Sequence, residues 1–107
     1  MSWQAVVKLS EIRDDEIYPA NVDGVDLIFM RHADGVAAYL DKCPHEGAQL
    51  SFGERTGDVL VCARHLWEFD VRTGEHISRV PRKQFDLKKA PVRVVGEQVE
   101  VDVSNLQ

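Results

Sequence analysis

Cys43-Pro44-His45 and Cys62-Ala63-Arg64-His65 each place one thiol and one imidazole within three or four residues, so the chain reads C-x-H, sixteen residues, then C-x-x-H. The sequence holds two cysteines and four histidines in all. A random scatter of so few residues would put a histidine two places after one cysteine and three after the other at about the one-in-several-hundred level. Thiolate and imidazole are also the side chains that hold borderline metals. A disulfide between the two cysteines is the alternative, and a reducing compartment disfavours it. A structural zinc site is a further alternative, because two cysteines and two histidines make a common zinc set. Zinc fingers usually keep the two cysteines in one half and the two histidines in the other, whereas here each half is mixed. A two-iron cluster with thiolates on one iron and imidazoles on the other needs each loop to contribute one ligand of each kind, which these pairs do.

Two loops must therefore be held tip to tip, and the rest of the chain reads as the strands that hold them. Short β-branched runs occur at Ala5–Val7, Val25–Met30, Val36–Leu40, Val59–Val61, Val92–Val95 and Val99–Val103. Asp23-Gly24 and Asp34-Gly35 fall between such runs and predict tight hairpins, with a third at Gly96-Glu97-Gln98. No window of a dozen residues has helical periodicity, and Ser10–Glu16 predicts one capped turn at most. The fold class is all-β. The stretches 43–57 and 78–90 are too long for hairpin loops, and long loops in compact domains tend to be functional.

On these residues the sequence resembles the Rieske ferredoxins, whose motif is C-x-H, a gap of about this size, then C-x-x-H. Gly53 and Gly57 between the halves, Thr73-Gly74 after them and the closing Pro91-Val92-Arg93-Val94 are similar to the small members of that family. The resemblance implies a single Rieske domain over 1–107, an antiparallel β-sandwich with a loop-built cluster-binding part at roughly 43–85. It implies one [2Fe-2S] cluster, with Cys43 and Cys62 on one iron and His45 and His65 on the other. Two ferric ions, two sulfides and two thiolates sum to zero charge, whereas four thiolates leave two negative charges, so mixed ligation makes an electron easier to add. High-potential members of the family add a disulfide and hydroxyl donors near sulfur. Trp67 and Phe69 stand where those hydroxyls would be, and no third cysteine exists. The expectation is a midpoint near the low end of the Rieske range, about −150 mV.

Trp67 is expected either to fill core or to shield one side of the cluster, and Pro81 belongs to a segment that in the family closes over the cluster. His65-Leu66-Trp67 looks most like the ferredoxins of toluene-type diiron monooxygenases. His32 and His76 are in ligand spacing with nothing and are expected at the surface.

The formal net charge is −5, and no basic stripe interleaved with aromatics points to nucleic acid. Residues 1–60 carry 5 basic and 11 acidic groups, whereas 76–93 carry 6 basic and 1 acidic. Arg64, Arg79, Arg82 and Lys83 are accordingly the candidate docking patch for an acidic partner, steered by charge. The chain has no apolar run near the ~20 residues of a membrane span and no basic-then-apolar leader, so the expectation is a cytoplasmic protein. There is no nucleophile motif, phosphate loop or isolated carboxylate pair to suggest an enzyme. The resemblance implies an electron carrier between a flavin-dependent NAD(P)H reductase and an oxygenase, preferably an aromatic or alkene diiron monooxygenase. The alternatives are the ferredoxin of a ring-hydroxylating dioxygenase system, a zinc-stabilised binding module without redox role, and a nitrite reductase small subunit.

Overall fold

The computed structural model describes residues 3–44, 48–63, 66–78, 85–104 and 106. Among the described residues nine strands form three antiparallel sheets of three: β1 (Gln4–Lys8), β9 (Gln98–Val101) and β8 (Val92–Val95) in one, β2 (Tyr18–Val22), β3 (Val25–His32) and β4 (Gly35–Leu40) in the second, β5 (Glu54–Thr56), β6 (Val59–Val61) and β7 (Glu68–Asp70) in the third. No described helix is long and apolar enough to cross a membrane.

The second sheet is the middle layer, and β3 shows why. Leu27, Ile28, Phe29 and Met30 are consecutive and all fully buried, which an alternating strand cannot achieve unless both of its faces are covered. Leu27 and Phe29 pack with Val7, Ile12, Val99, Val101 and Val103 against the first sheet. Ile28 and Met30 pack the opposite way with Tyr39, Leu60, Phe69 and Val71 toward the third. Large residues face small ones across β3 and β4, Phe29 opposite Ala38 and Met30 opposite Ala37. The segment leading into β8 is also stitched to β4 by backbone: Leu40 N–H donates to Lys88 O (3.0 Å) and Ala90 N–H to Ala38 O (2.9 Å).

Two of the three hairpins fall where Asp23-Gly24 and Gly96-Glu97 place them, whereas the β3–β4 turn is Ala33-Asp34, one residue earlier than expected, because Gly35 already pairs with His32. Asp23 and Gly24 both have positive φ (52° and 85°) and join β2 to β3 in two residues. Gly96 (φ 62°) with Glu97 joins β8 to β9, Gln98 already being paired with Val95. The predicted turn in 10–16 is a 3-10 turn at Leu9–Glu11 with no side-chain cap. Three strands are added to the sequence reading. β2 carries Pro19, which removes a donor and is tolerated because β2 is the sheet edge. β5 and β7 are three residues each, too short for a period to register.

Tyr39 is a buried polar link between the middle and third layers. Its buried hydroxyl donates to Val71 O at 2.8 Å. Burial first, and the Asp70 carboxylate second, push this phenol well above its ordinary range. A raised phenol favours the neutral form in the folded protein, so the stabilisation is present below about pH 10 and is lost as pH rises through the folded value. Tyr39→Phe is expected to lower stability at pH 7 by about 1 kcal/mol through the lost hydrogen bond. It should also flatten the alkaline loss, as urea melts at neutral and high pH will show.

Candidate metal centre

Cys43 and Cys62 leave the ends of two strands and enter loops closed in the same way. Cys43 N–H donates to Ala48 O (2.7 Å) and Cys62 N–H donates to Trp67 O (2.8 Å), each bond spanning five residues. The loop matching C-x-H is braced from behind by the 3-10 turn Leu50–Phe52, whose Leu50 is fully buried. Asp41, at the end of β4, accepts from Ser51 N–H (2.8 Å) and Ser51 Oγ (2.7 Å), tying that turn to the middle sheet. The loop matching C-x-x-H lies between β6 and β7, so the pairing of Leu60 with Phe69 fixes its two stems.

Both cysteines are buried, 2% and 1% exposed, and belong to one buried group with Leu50, Leu60, Phe69, Val71 and Leu87. They form no disulfide with each other, which settles the first alternative. Two thiols held in a dry pocket at matching places in two like loops suit a pair of thiolates on one metal, because water is kept from the soft donors. His45, His65, Arg64, Arg79, Pro81, Arg82 and Lys83 lie outside the described residues.

Behind the second loop sits an aromatic group. Phe69 is fully buried, and half-buried Trp67 packs against the same core as the cysteines. Trp67 therefore fills core, and it does so from the second loop. His76 corrects the expectation of a surface histidine: it is 4% exposed. Its ring stacks on Trp67 (centroids 4.4 Å, planes 29° apart) and lies 5.5 Å from Phe69. The cause is register. Phe69 and His76 are bridged across the β7 edge, so the two side chains share the inward face. Asp86 Oδ1 accepts from His76 N–H at 2.9 Å and fixes the segment further. No spacing rule in the sequence reaches a contact made by a single bridge. His32 is part-exposed, and its Nδ1 accepts from Asp34 N–H (3.2 Å) at the β3–β4 turn.

Two further residues escaped the sequence reading. Arg55 on β5 donates to Gly57 O (2.8 Å), Glu16 O (2.9 Å) and Arg31 O, clamping the third sheet onto the middle one. Burial pulls its guanidinium below the ordinary arginine range, with Asp58, Asp15 and Asp14 opposing. Leu66, inside the second loop, has φ 56° and is 72% exposed. Its N–H donates to Cys62 O at 3.0 Å, which holds it in a backbone region that costs a side-chain-bearing residue about 1 kcal/mol or more.

Residues 2–101 match the family model of the Rieske [2Fe-2S] domain. The chain is 30% identical over 102 residues to the ferredoxin component of the naphthalene 1,2-dioxygenase system of Pseudomonas aeruginosa, covering 95% of this chain and 96% of that protein. It is 28% identical over 102 residues to the ferredoxin component of the alkene monooxygenase system of Xanthobacter autotrophicus, covering 94% and 81%. Among solved structures, a complex of reduced oxygenase and oxidised ferredoxin in carbazole 1,9a-dioxygenase contains a chain that superposes with TM-score 0.80 at 32% identity, covering 92% of this chain and 91% of that one. Two buried thiols in matched loops, an all-β scaffold and a match across nearly the whole sequence agree: the chain belongs to the Rieske [2Fe-2S] family and carries that cluster.

Proposed function

We propose that this protein is the ferredoxin of a multicomponent oxygenase system, taking single electrons from a flavin-dependent NAD(P)H reductase and passing them to the terminal oxygenase. The observation that carries the reading is the pair of like-closed loops, each with one buried cysteine outside any disulfide, in a domain with full-length relatives that are ferredoxin components. Cys43, His45, Cys62 and His65 would hold the cluster, with residues 43–85 forming the cluster-binding part of one domain spanning 1–107. The cluster supplies a one-electron couple, and the chain turns over no substrate of its own. The protein's share is to keep the thiolates dry, to hold the two loops in register and to present the imidazole side to a partner. Arg64, Arg79, Arg82 and Lys83 are the basic residues, opposite in sign to the chain as a whole, that would orient the approach of an acidic partner. A cytoplasmic setting keeps both cysteines reduced.

His65-Leu66-Trp67 favours an aromatic or alkene diiron monooxygenase as the acceptor, and the alkene monooxygenase relative agrees with it. The naphthalene dioxygenase relatives favour the second reading, a ring-hydroxylating dioxygenase. Reconstitution with one reductase and each class of oxygenase decides between them, and substrate-dependent NADH consumption with neither would remove the proposal. One zinc per colourless chain, in place of two irons and two sulfides, would do the same.

The potential follows from the donors around the cysteines. Tyr39, the phenol in the same buried group, is committed to Val71 O, and Trp67 and Phe69 have no hydroxyl. The midpoint is expected close to the lower limit of the Rieske range, about −150 mV. A spectroelectrochemical titration that returns a strongly positive value contradicts this.

A further inference from the structure

Among the described residues two non-glycine residues have positive φ, Asp23 and Leu66. Asp23 has an ordinary reason, a two-residue hairpin in which aspartate is a favoured residue. Leu66 has none. A branched apolar side chain gains nothing from the left-handed region, and glycine or asparagine would occupy it more easily. Burial does not compensate, because Leu66 is 72% exposed and packs into neither core. A single exposed leucine is unremarkable, and so is a single backbone outlier. Both at one residue, inside the loop that carries Cys62, are costs that folding alone does not repay. Exposed Ile77 (39%) lies on the same unit, its N–H donating to Glu68 O at 2.9 Å.

We infer that Leu66 is the apolar anchor by which this ferredoxin docks on the terminal oxygenase, its side chain entering an apolar recess beside the oxygenase's electron-accepting site. This rests on the function proposed above. Three observations choose the occupant. The chain matches ferredoxin components of oxygenase systems along nearly its whole length. A homologous ferredoxin is solved in complex with its oxygenase. The residue itself sits one place from the candidate ligand His65, where an electron-transfer contact must form. The centre of such a contact excludes charge and favours apolar groups, while charge at the rim governs encounter. Leu66 therefore fixes the docked geometry and the lifetime of the complex, and the basic residues fix the approach. The two outward hydrogen-bonded stems, Cys62 to Trp67 and Leu66 to Cys62, hold the side chain in place before contact, which lowers the ordering cost of binding.

The test compares the full chain, cluster loaded, with Leu66→Gly, Leu66→Asn and Leu66→Met. Thermal midpoint, visible spectrum, redox midpoint and oxidation by ferricyanide are measured first, then the second-order rate of electron transfer to the oxygenase at low and high salt. Leu66→Gly and Leu66→Asn are expected to melt no lower than the parent, with spectrum, potential and ferricyanide rate unchanged. Their transfer to the oxygenase should fall tenfold or more at subsaturating oxygenase, by the same factor at both salt concentrations, and Leu66→Met should restore most of it. Transfer at the parent's rate in Leu66→Gly overturns the inference. So does a lower melting point with a bleached cluster, which would make Leu66 a folding residue. A parent chain that reduces no oxygenase overturns the proposed function, and that result is distinct from an active parent with indifferent variants.

Discussion

Cys62→Ser is expected to yield a chain that purifies with little colour, its iron and acid-labile sulfide falling from two of each toward none. The thiolate is lost, and serine, which does not ionise near neutral pH, is a poor replacement on a soft metal site. The hydroxyl also lands in an apolar group with Leu60 and Phe69, where an unsatisfied polar group costs about 1–3 kcal/mol. Cys43→Ser should behave alike, because its loop is closed by the equivalent bond and the cysteine is as deeply buried. Iron and sulfide analysis with visible absorbance is the measurement. A Cys62→Ser protein with the parent's spectrum and metal content would take Cys62 out of the ligand set. The two-residue comparison matters, because a purely structural cysteine would lose stability without losing metal in step at both loops.

Gly53→Ala should be nearly as damaging although no ligand is touched. A Cβ at Gly53 would stand 2.1 Å from Val61 O and 3.2 Å from Leu50 O, both backbone atoms. The φ of −81° is ordinary, so the glycine is demanded by space and not by conformation. Relief requires β6 to move away from the 3-10 turn Leu50–Phe52, and Val61 is the residue before Cys62. The substitution therefore pushes the two cluster loops apart. A loss of about 3 kcal/mol in urea unfolding is expected, at the upper end of overpacking costs, together with substoichiometric iron. Gly57→Ala is the control: its Cβ meets nothing within 4 Å, but φ is 58°, so it should lose only the smaller conformational term and keep its metal. Equal metal content in both variants would separate Gly53 from the geometry of the site.

How much of this was legible in the sequence follows from how local each signal is. The two cysteine–histidine pairs are contiguous and chemically rare, so they stand out without any structure. The continuous apolar run Leu27–Met30 and the Asp-Gly turn before it likewise announce a strand and its register. Features made by approach across the fold gave no such sign. His76 carries nothing in its neighbourhood that separates a surface imidazole from one stacked on Trp67. The three carbonyls that Arg55 binds come from three separate places in the chain. Pro19 hid β2 because its missing donor counts against a strand until the strand is known to be an edge. The backbone of Leu66 is set by the six-residue loop 62–67 closed by the pairing of β6 with β7, and no residue-type rule predicts leucine there.

The chain leaves the scaffold after Leu40 and returns to it at Lys88, and those two residues are hydrogen-bonded to each other. The excursion between them contains both cysteine loops and the third sheet, yet its two ends meet as closely as the ends of a hairpin. Such a neck makes the excursion a cassette: its length and content can change without moving the six strands that it interrupts. A lineage can therefore retune potential or partner by rewriting the cassette alone while inheriting the scaffold intact.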